Sequence, residues 1–433
     1  MKAIFFLIVA AGGFITATCQ ETQTITLTDC YSDALAASPL AGEKQSLKQV
    51  YLLKDKNIES GWFPSVEAGA SVMYNTSVVD FAAALDFLPV PVSPDEVSGM
   101  PRDQYRFTVD INQVIYDGGS IKGSREVEKA SHIYDEKGVE ADLYRLREQV
   151  NNTFFSLILL RKELELHRSF NDLLAEKMNA VLSAVENGVL LPADFDIIRS
   201  EKLKNDQLIS AIEMRISALF AVLSDITGKE YGPATRLVMP ELDTYHGDTI
   251  TRPELQLFDL KSNQLEAGKS LLRSTRMPKA FGFATLGYGS PPGNDFFNDS
   301  FGTYAVVGAG IKWTITDWNR AKRNNQMIDL NKTIIESRKY DLEGNLRRSL
   351  EVKMSEIESL TSMIVSDEEL ISIRKTITES TALKLDNGVI SATDYMTELN
   401  AEKQAMINRE LHIVNLEKAK AEYLYIVGKE IEN

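Results

Sequence analysis

Along most of this chain the apolar residues recur every three or four positions, and in two places they switch to every second one. Within 118–187, Leu143, Leu146, Val150, Leu157, Leu160, Leu164, Leu174, Val181 and Val185 keep a heptad spacing, with Thr153, His167, Asn171 and Met178 filling the remaining steps. A sustained seven-residue repeat specifies a helix that supercoils against a partner. Seventy such residues would span about 105 Å. No proline interrupts the stretch, and its internal glycines are Gly123 and Gly138. A shorter run at 194–226, with Phe195, Ile198, Ile212, Ile216, Leu219, Leu223 and Ile226 in the same spacing, predicts a helix that returns along the first. Upstream, Tyr105, Phe107, Val109 and Ile111 alternate with Arg106, Thr108, Asp110 and Asn112. Period two with one apolar face is a half-buried strand pattern. It predicts strands at about 65–75 and 104–116.

The same order occurs twice. Asn187-Gly188-Val189 returns as Asn387-Gly388-Val389, Asp194 as Asp394 and Asp117 as Asp317, all at an offset of 200. Nearer the start of each copy the offset is 214, pairing Pro64 with Pro278 and Tyr74 with Tyr288. Self-similarity at this scale marks a duplicated structural unit. Each copy opens with a helical stretch, 27–61 or 253–275. The second copy then predicts strands at about 280–288 and 303–315, where Val307, Ile311, Trp313 and Ile315 share a face. A long helix over 317–387 and a return helix over 394–427 follow. Proline-rich 76–103 and Gly/Pro/Asn-rich 289–299 read as loops. The organisation is therefore 1–19 leader, 20–230 first repeat, 231–250 linker, and 251–433 second repeat.

Charge and composition narrow the function. The net charge of −15 excludes a nucleic-acid partner, since phosphate binding needs a basic face. Met1-Lys2, an apolar run to Ile15, and Thr16-Ala17-Thr18-Cys19 form a secretory leader, too short to span a bilayer. Cys19 has two readings: lipidated after cleavage before it, or lost with the leader, although Thr16 and Thr18 make a poor lipobox. No other stretch approaches the roughly 18 apolar residues of a spanning helix, so any membrane passage must use strands. Four strands cannot close a barrel, which takes about eight. Three chains would bring twelve strands, with Arg106, Thr108, Asp110 and Asn112 facing a wet lumen. A water-soluble sheet with one solvated face fits the same alternation.

Ser38-Pro39, Trp62-Phe63-Pro64, Val114-Ile115-Tyr116-Asp117-Gly118-Gly119, and the two Asn-Gly-Val tips followed by Asp194 and Asp394 carry a specific likeness. In their order, spacing and duplication the chain resembles the TolC-type outer-membrane efflux family over essentially its whole mature length. The resemblance implies an α+β membrane protein, a homotrimer whose four strands per chain build a 12-stranded β-barrel in outer-membrane lipid of a Gram-negative bacterium. A long coiled-coil tunnel through the periplasm continues it, belted by the linker and the C-terminal segment. It implies a passive channel of a tripartite efflux or type I secretion system. Its partners would be a periplasmic adaptor and an inner-membrane pump or secretion ATPase. The tips Asn187, Gly188, Val189, Asn387, Gly388 and Val389 would meet the adaptor. Asp394, with Asp194 and Asp196 behind it, would narrow the periplasmic aperture. Thr397 stands where a second acid is usual and Ile390 where an arginine tether occurs, so the gate departs from the family pattern. N-capping of the return helices is the competing role for Asp194 and Asp394.

His132, His167, His246 and His412 lie at no metal-ligand spacing, and His167 beside Asn171 reads as a polar layer in the heptad. No phosphate loop, nucleophile elbow or zinc-protease motif is present. The expectation is a non-enzyme without metal or cofactor. The competing function is a structural or adhesive trimeric coiled coil, which has no need of paired strands in both repeats.

Overall fold

A computed structural model describes residues 23–78, 100–243, 247, 249–295 and 298–431. The leader, Cys19, His246 and most of the 76–103 loop lie outside the described residues. In chain order the elements are β1 (Thr24–Ile25), α1 (Leu27–Ala37), α2 (Leu40–Glu59), β2 (Ser65–Tyr74), β3 (Asp103–Tyr116), α3 (Ser120–Glu186), α4 (Pro192–Thr227), β4 (Arg236–Leu237), α5 (Pro253–Ser274), β5 (Lys279–Ser290), β6 (Gly302–Lys312), α6 (Arg320–Asp386) and α7 (Ala392–Val427). They divide between two compact units, one of Met1–Ser38, Leu143–Ile250 and Leu346–Asn433, the other of Pro39–Asp142 and Thr251–Asn345.

The second unit holds an antiparallel sheet of order β2-β3-β5-β6. Its two hairpins share one register. Ala70 pairs with Phe107, and applying the two sequence offsets turns this into Ala284 with Val307, which is the pairing observed. Between the repeats β3 pairs with β5, setting Phe107 opposite Tyr288 and Val109 opposite Leu286. One face carries Val66, Val72, Phe107, Leu286, Val307 and Ile311, all exposed, with Val307 at 80%. On the other face Asp110 accepts hydrogen bonds from Thr108 Oγ1 at 2.9 Å and Thr285 Oγ1 at 2.5 Å. Aromatic rings fill the glycine gaps of that face: a Cβ on Gly308 would fall 2.5 Å from the Phe283 ring, and one on Gly310 2.7 Å from Phe281. These glycines are therefore seats for rings on the neighbouring strand.

One expectation is refined and one corrected. The helical stretch 27–61 is divided in two. Pro39 forces Ser38 into extended backbone (ψ 129°), which separates α1 from α2, and Ser60–Trp62 tightens into a 3-10 turn. The last strand stops at Lys312, so Trp313 and Ile315 do not continue its face; Trp313 Nε1 instead donates to the Arg276 carbonyl at 3.0 Å.

In the first unit the heptad residues close a core. Val150, Phe154, Phe155 and Leu157 of α3 pack with Ile212, Phe220 and Leu223 of α4, Val414 and Ala421 of α7, and Leu27, Cys30 and Tyr31 of α1. Burial pushes the Cys30 thiol up to about 12, so it behaves as a small apolar side chain. His167 is buried with its Nδ1 2.7 Å from Asn205 Oδ1, while Asn205 Nδ2 donates to the His167 carbonyl. The duplication substitutes Asp367 for His167, and Asp367 pairs with His412 Nδ1 at 2.6 Å. Each hairpin thus has its own polar layer. β1 and β4 pair in parallel, tying the start of the chain to the linker.

Candidate functional site

The site lies at the two hairpin tips of the first unit. Each long helix ends in the same way. Gly188 and Gly388 take the left-handed conformation, with φ of 75° and 69°. Val189 N–H reaches the Ala184 carbonyl and Val389 N–H the Lys384 carbonyl, while Gly188 and Gly388 donate to Val185 and Leu385. This is the Schellman arrangement, which satisfies carbonyls that a helix end leaves open. Asn187 and Asn387 add side-chain bonds to Ser183 and Leu383 carbonyls. The sharp reversal leaves Val189 and Val389 exposed at the tip.

The return helices start on aspartates. Asp394 accepts from Ser391 N–H at 3.1 Å and from Ser391 Oγ at 2.7 Å, and these bonds hold its exposed carboxyl below the usual range. In the first hairpin Asp194 Oδ2 likewise accepts from Leu191 N–H at 3.1 Å. Asp194, however, is buried, and its Oδ1 accepts from Ala392 N–H of the other hairpin at 2.9 Å. Asp196 is exposed.

Three further contacts that sequence reading missed join the tips. Lys177 Nζ lies 3.2 Å from Asp386 Oδ2 and stands 5.6 Å from the Tyr395 ring centroid. Gly388 is seated so that a Cβ would fall 3.2 Å from the Val189 carbonyl oxygen. Beneath them Leu174, Val181, Ile198, Leu385, Tyr395 and Leu399 form one apolar cluster across both hairpins. Lys177 was invisible in sequence because its partner lies 209 residues away.

Solved structures share this fold along nearly the whole chain. The Campylobacter jejuni CmeC outer membrane channel matches with a TM-score of 0.66 at 14% identity, over 94% of this chain and 87% of that one. The outer membrane protein VceC of Vibrio cholerae matches at 0.65 and 13%, over 94% and 97%. The Neisseria gonorrhoeae MtrE outer membrane channel, in its open state, matches at 0.66 and 13%, over 93% and 89%. This chain has the TolC-type fold. No protein-family model matches it, and no curated protein sequence does. At such low identity the TolC-type likeness establishes the fold, and the chemistry of the tips rests on this chain's own residues.

Proposed function

We propose that three copies of this chain form an outer-membrane channel of a Gram-negative bacterium, a passive duct from periplasm to exterior. A periplasmic adaptor and an inner-membrane pump or secretion ATPase supply its energy, in a tripartite efflux or type I secretion assembly. It performs no catalysis. The observation that carries this reading is the sheet, with an exposed apolar face and two open edges, on β2 and β6. Lipid would cover the face, but lipid tolerates no unpaired strand edge. Both demands are met if β6 of one copy pairs with β2 of the next. The β3–β5 joint within the chain is the template, so three chains make a ring of six repeats and a barrel of twelve strands. Glu67, Arg106 and Asp110 then line water.

The gate lies at the hairpin tips in the same reading. Inside a chain the two hairpins are latched by Asp194 to Ala392, by Lys177 to Asp386, and by Gly388 seated on Val189. At the joint to the next copy, Asp394 would meet residue 192, which is Pro192 and has no N–H to give. The counterpart of Lys177 there is Ile377. The tips are therefore paired within each chain and unlatched between chains, and the duct opens along three seams. Asp394 and Asp196, both exposed, ring the aperture and concentrate cations; Asp194 stands behind them as the latch. Asn187, Gly188, Val189 and their repeats face the adaptor.

Expression in a Gram-negative host tests the reading. The unheated outer-membrane fraction should carry a trimer on a gel that collapses on heating to one band near 48.3 kDa or slightly below, as the leader is removed. A soluble monomer would overturn it.

A further inference from the structure

The turn from β3 into α3 reads Asp117-Gly118-Gly119, and the equivalent turn from β6 into α6 reads Asp317-Trp318-Asn319. Both are left-handed, with φ of 71° and 87° at the glycines and 53° and 61° at Trp318 and Asn319. In both the aspartate caps the following helix, Asp117 through Gly119 and Ile121 N–H, Asp317 through Ala321 N–H. Glycine adopts this backbone freely, whereas a bulky residue there is an outlier. The second repeat nevertheless holds a tryptophan in it, 83% exposed within the chain.

The first turn identifies what the second would meet. Gly118 lies against the approach to β5: a Cβ there would fall 2.8 Å from Met277 Cβ and 3.2 Å from the Ser274 carbonyl oxygen. The offset of 214 makes Phe63 the counterpart of Met277 and Ser60 that of Ser274. Pairing β6 with β2 of the next copy would thus bring Trp318 to that copy's Phe63, itself 69% exposed.

The neighbouring helices agree. Within the chain α3 runs beside α5, with Gly123 against Leu271 and Tyr134 beneath Lys261. Transferred to the next joint, this register sets Met327 opposite Leu53 and Leu330 opposite Val50. All four are exposed apolar residues, and α2 buries none of its residues within its own chain. Arg320 and Arg323, both exposed, would face the C-terminal end of α2, where Glu59 also lies 3.8 Å from Arg125 of its own chain and Lys56 stands in the same turn.

We propose that Trp318 is a clasp between copies, its indole docked on Phe63 of the next chain. This rests on the three-copy reading above. Where the joint inside a chain is a close backbone approach permitted by Gly118, the joint between chains is an aromatic contact, for which the second repeat accepts an unfavourable backbone. Each seam is thereby held at the base of the sheet and left unlatched at the tips.

The test uses the full-length protein in outer-membrane extracts. Trp318→Gly relieves the backbone yet removes the ring, so the trimer should form but dissociate about tenfold faster at a fixed elevated temperature, the size of one good aromatic contact. Trp318→Phe should restore most of the loss. The pair Trp318→Cys with Phe63→Cys should give an oxidised inter-chain product, and either substitution alone should not. Unchanged dissociation of Trp318→Gly, with no product from the pair, would overturn the clasp. A strand cross-link between Val72→Cys and Ala309→Cys, made in parallel, separates that failure from failure of the trimer itself.

Discussion

The carboxylate of Asp194 accepts the Ala392 N–H at 2.9 Å from one oxygen and the Leu191 N–H at 3.1 Å from the other, so one side chain starts a helix in each repeat. Because Asp194 is buried, replacing it removes a cap and leaves the Ala392 donor without an acceptor. Asp194→Ala should cost about 2–3 kcal/mol, one cap plus one buried orphan. Asp394→Ala should cost less, because its bonds are local and exposed. Hydrogen exchange at Ala392 read by mass spectrometry checks the order. Equal protection in the two variants would remove the latch from the account.

Pro192 is the reason the seam between copies has no such latch. Pro192→Ala restores an N–H where Asp394 of the neighbouring copy could use it. Single channels in planar bilayers should then conduct less and open more rarely than the parent. No change, or a rise, would mean that the tips of different chains do not meet there.

An exposed ring of Asp394 and Asp196 should bind multivalent cations, more weakly as salt is added. Trivalent cations on the periplasmic side should block the parent channel, and Asp394→Ala should weaken the block strongly. Asp196→Ala should weaken it further. Block that survives both substitutions places the constriction elsewhere.

The two faces of β3 make opposite demands. Val109 lies on the apolar face opposite Leu286, and an arginine there should cost roughly 2–4 kcal/mol if it meets mid-bilayer lipid. Asp110 lies on the face that carries Thr108 and Thr285, and Asp110→Asn should leave trimer yield intact while shifting conductance. Heat-modifiable trimer yield for both variants is the measurement; equal losses would contradict the distinction between a lipid face and a lumen face.

Period and duplication made much of this legible. Leu157, Leu174 and Leu223 were marked by three-four spacing alone, and each is buried. The alternation at Tyr105–Ile111 marked a strand, because its two faces meet different surroundings. What escaped was whatever depends on residues far apart in sequence. Neither spacing nor residue type reveals that Lys177 meets Asp386, or that Asp194 turns inward while Asp394 stays exposed. The end of β6 was misplaced because Trp313 and Ile315 keep the strand's period after its partner, β5, has run out at Lys279. The gaps at Gly308 and Gly310 are filled by the rings of Phe283 and Phe281, which belong to another strand.

In the proposed trimer, β6 of one copy pairs with β2 of the next in the register that joins β3 to β5. Val109 opposite Leu286 inside the chain becomes Ala309 opposite Val72 between chains. Directly opposed antiparallel residues bring their Cβ atoms to about 5 Å, within reach of a disulfide after slight adjustment. In a Cys30→Ser background, oxidation of the chain carrying Val72→Cys and Ala309→Cys should give covalent dimers and trimers on a reducing-agent-free gel. The ladder should stop at three, because the ring closes. A ladder that continues past three, or a chain that stays monomeric while the single-cysteine controls behave identically, would contradict it.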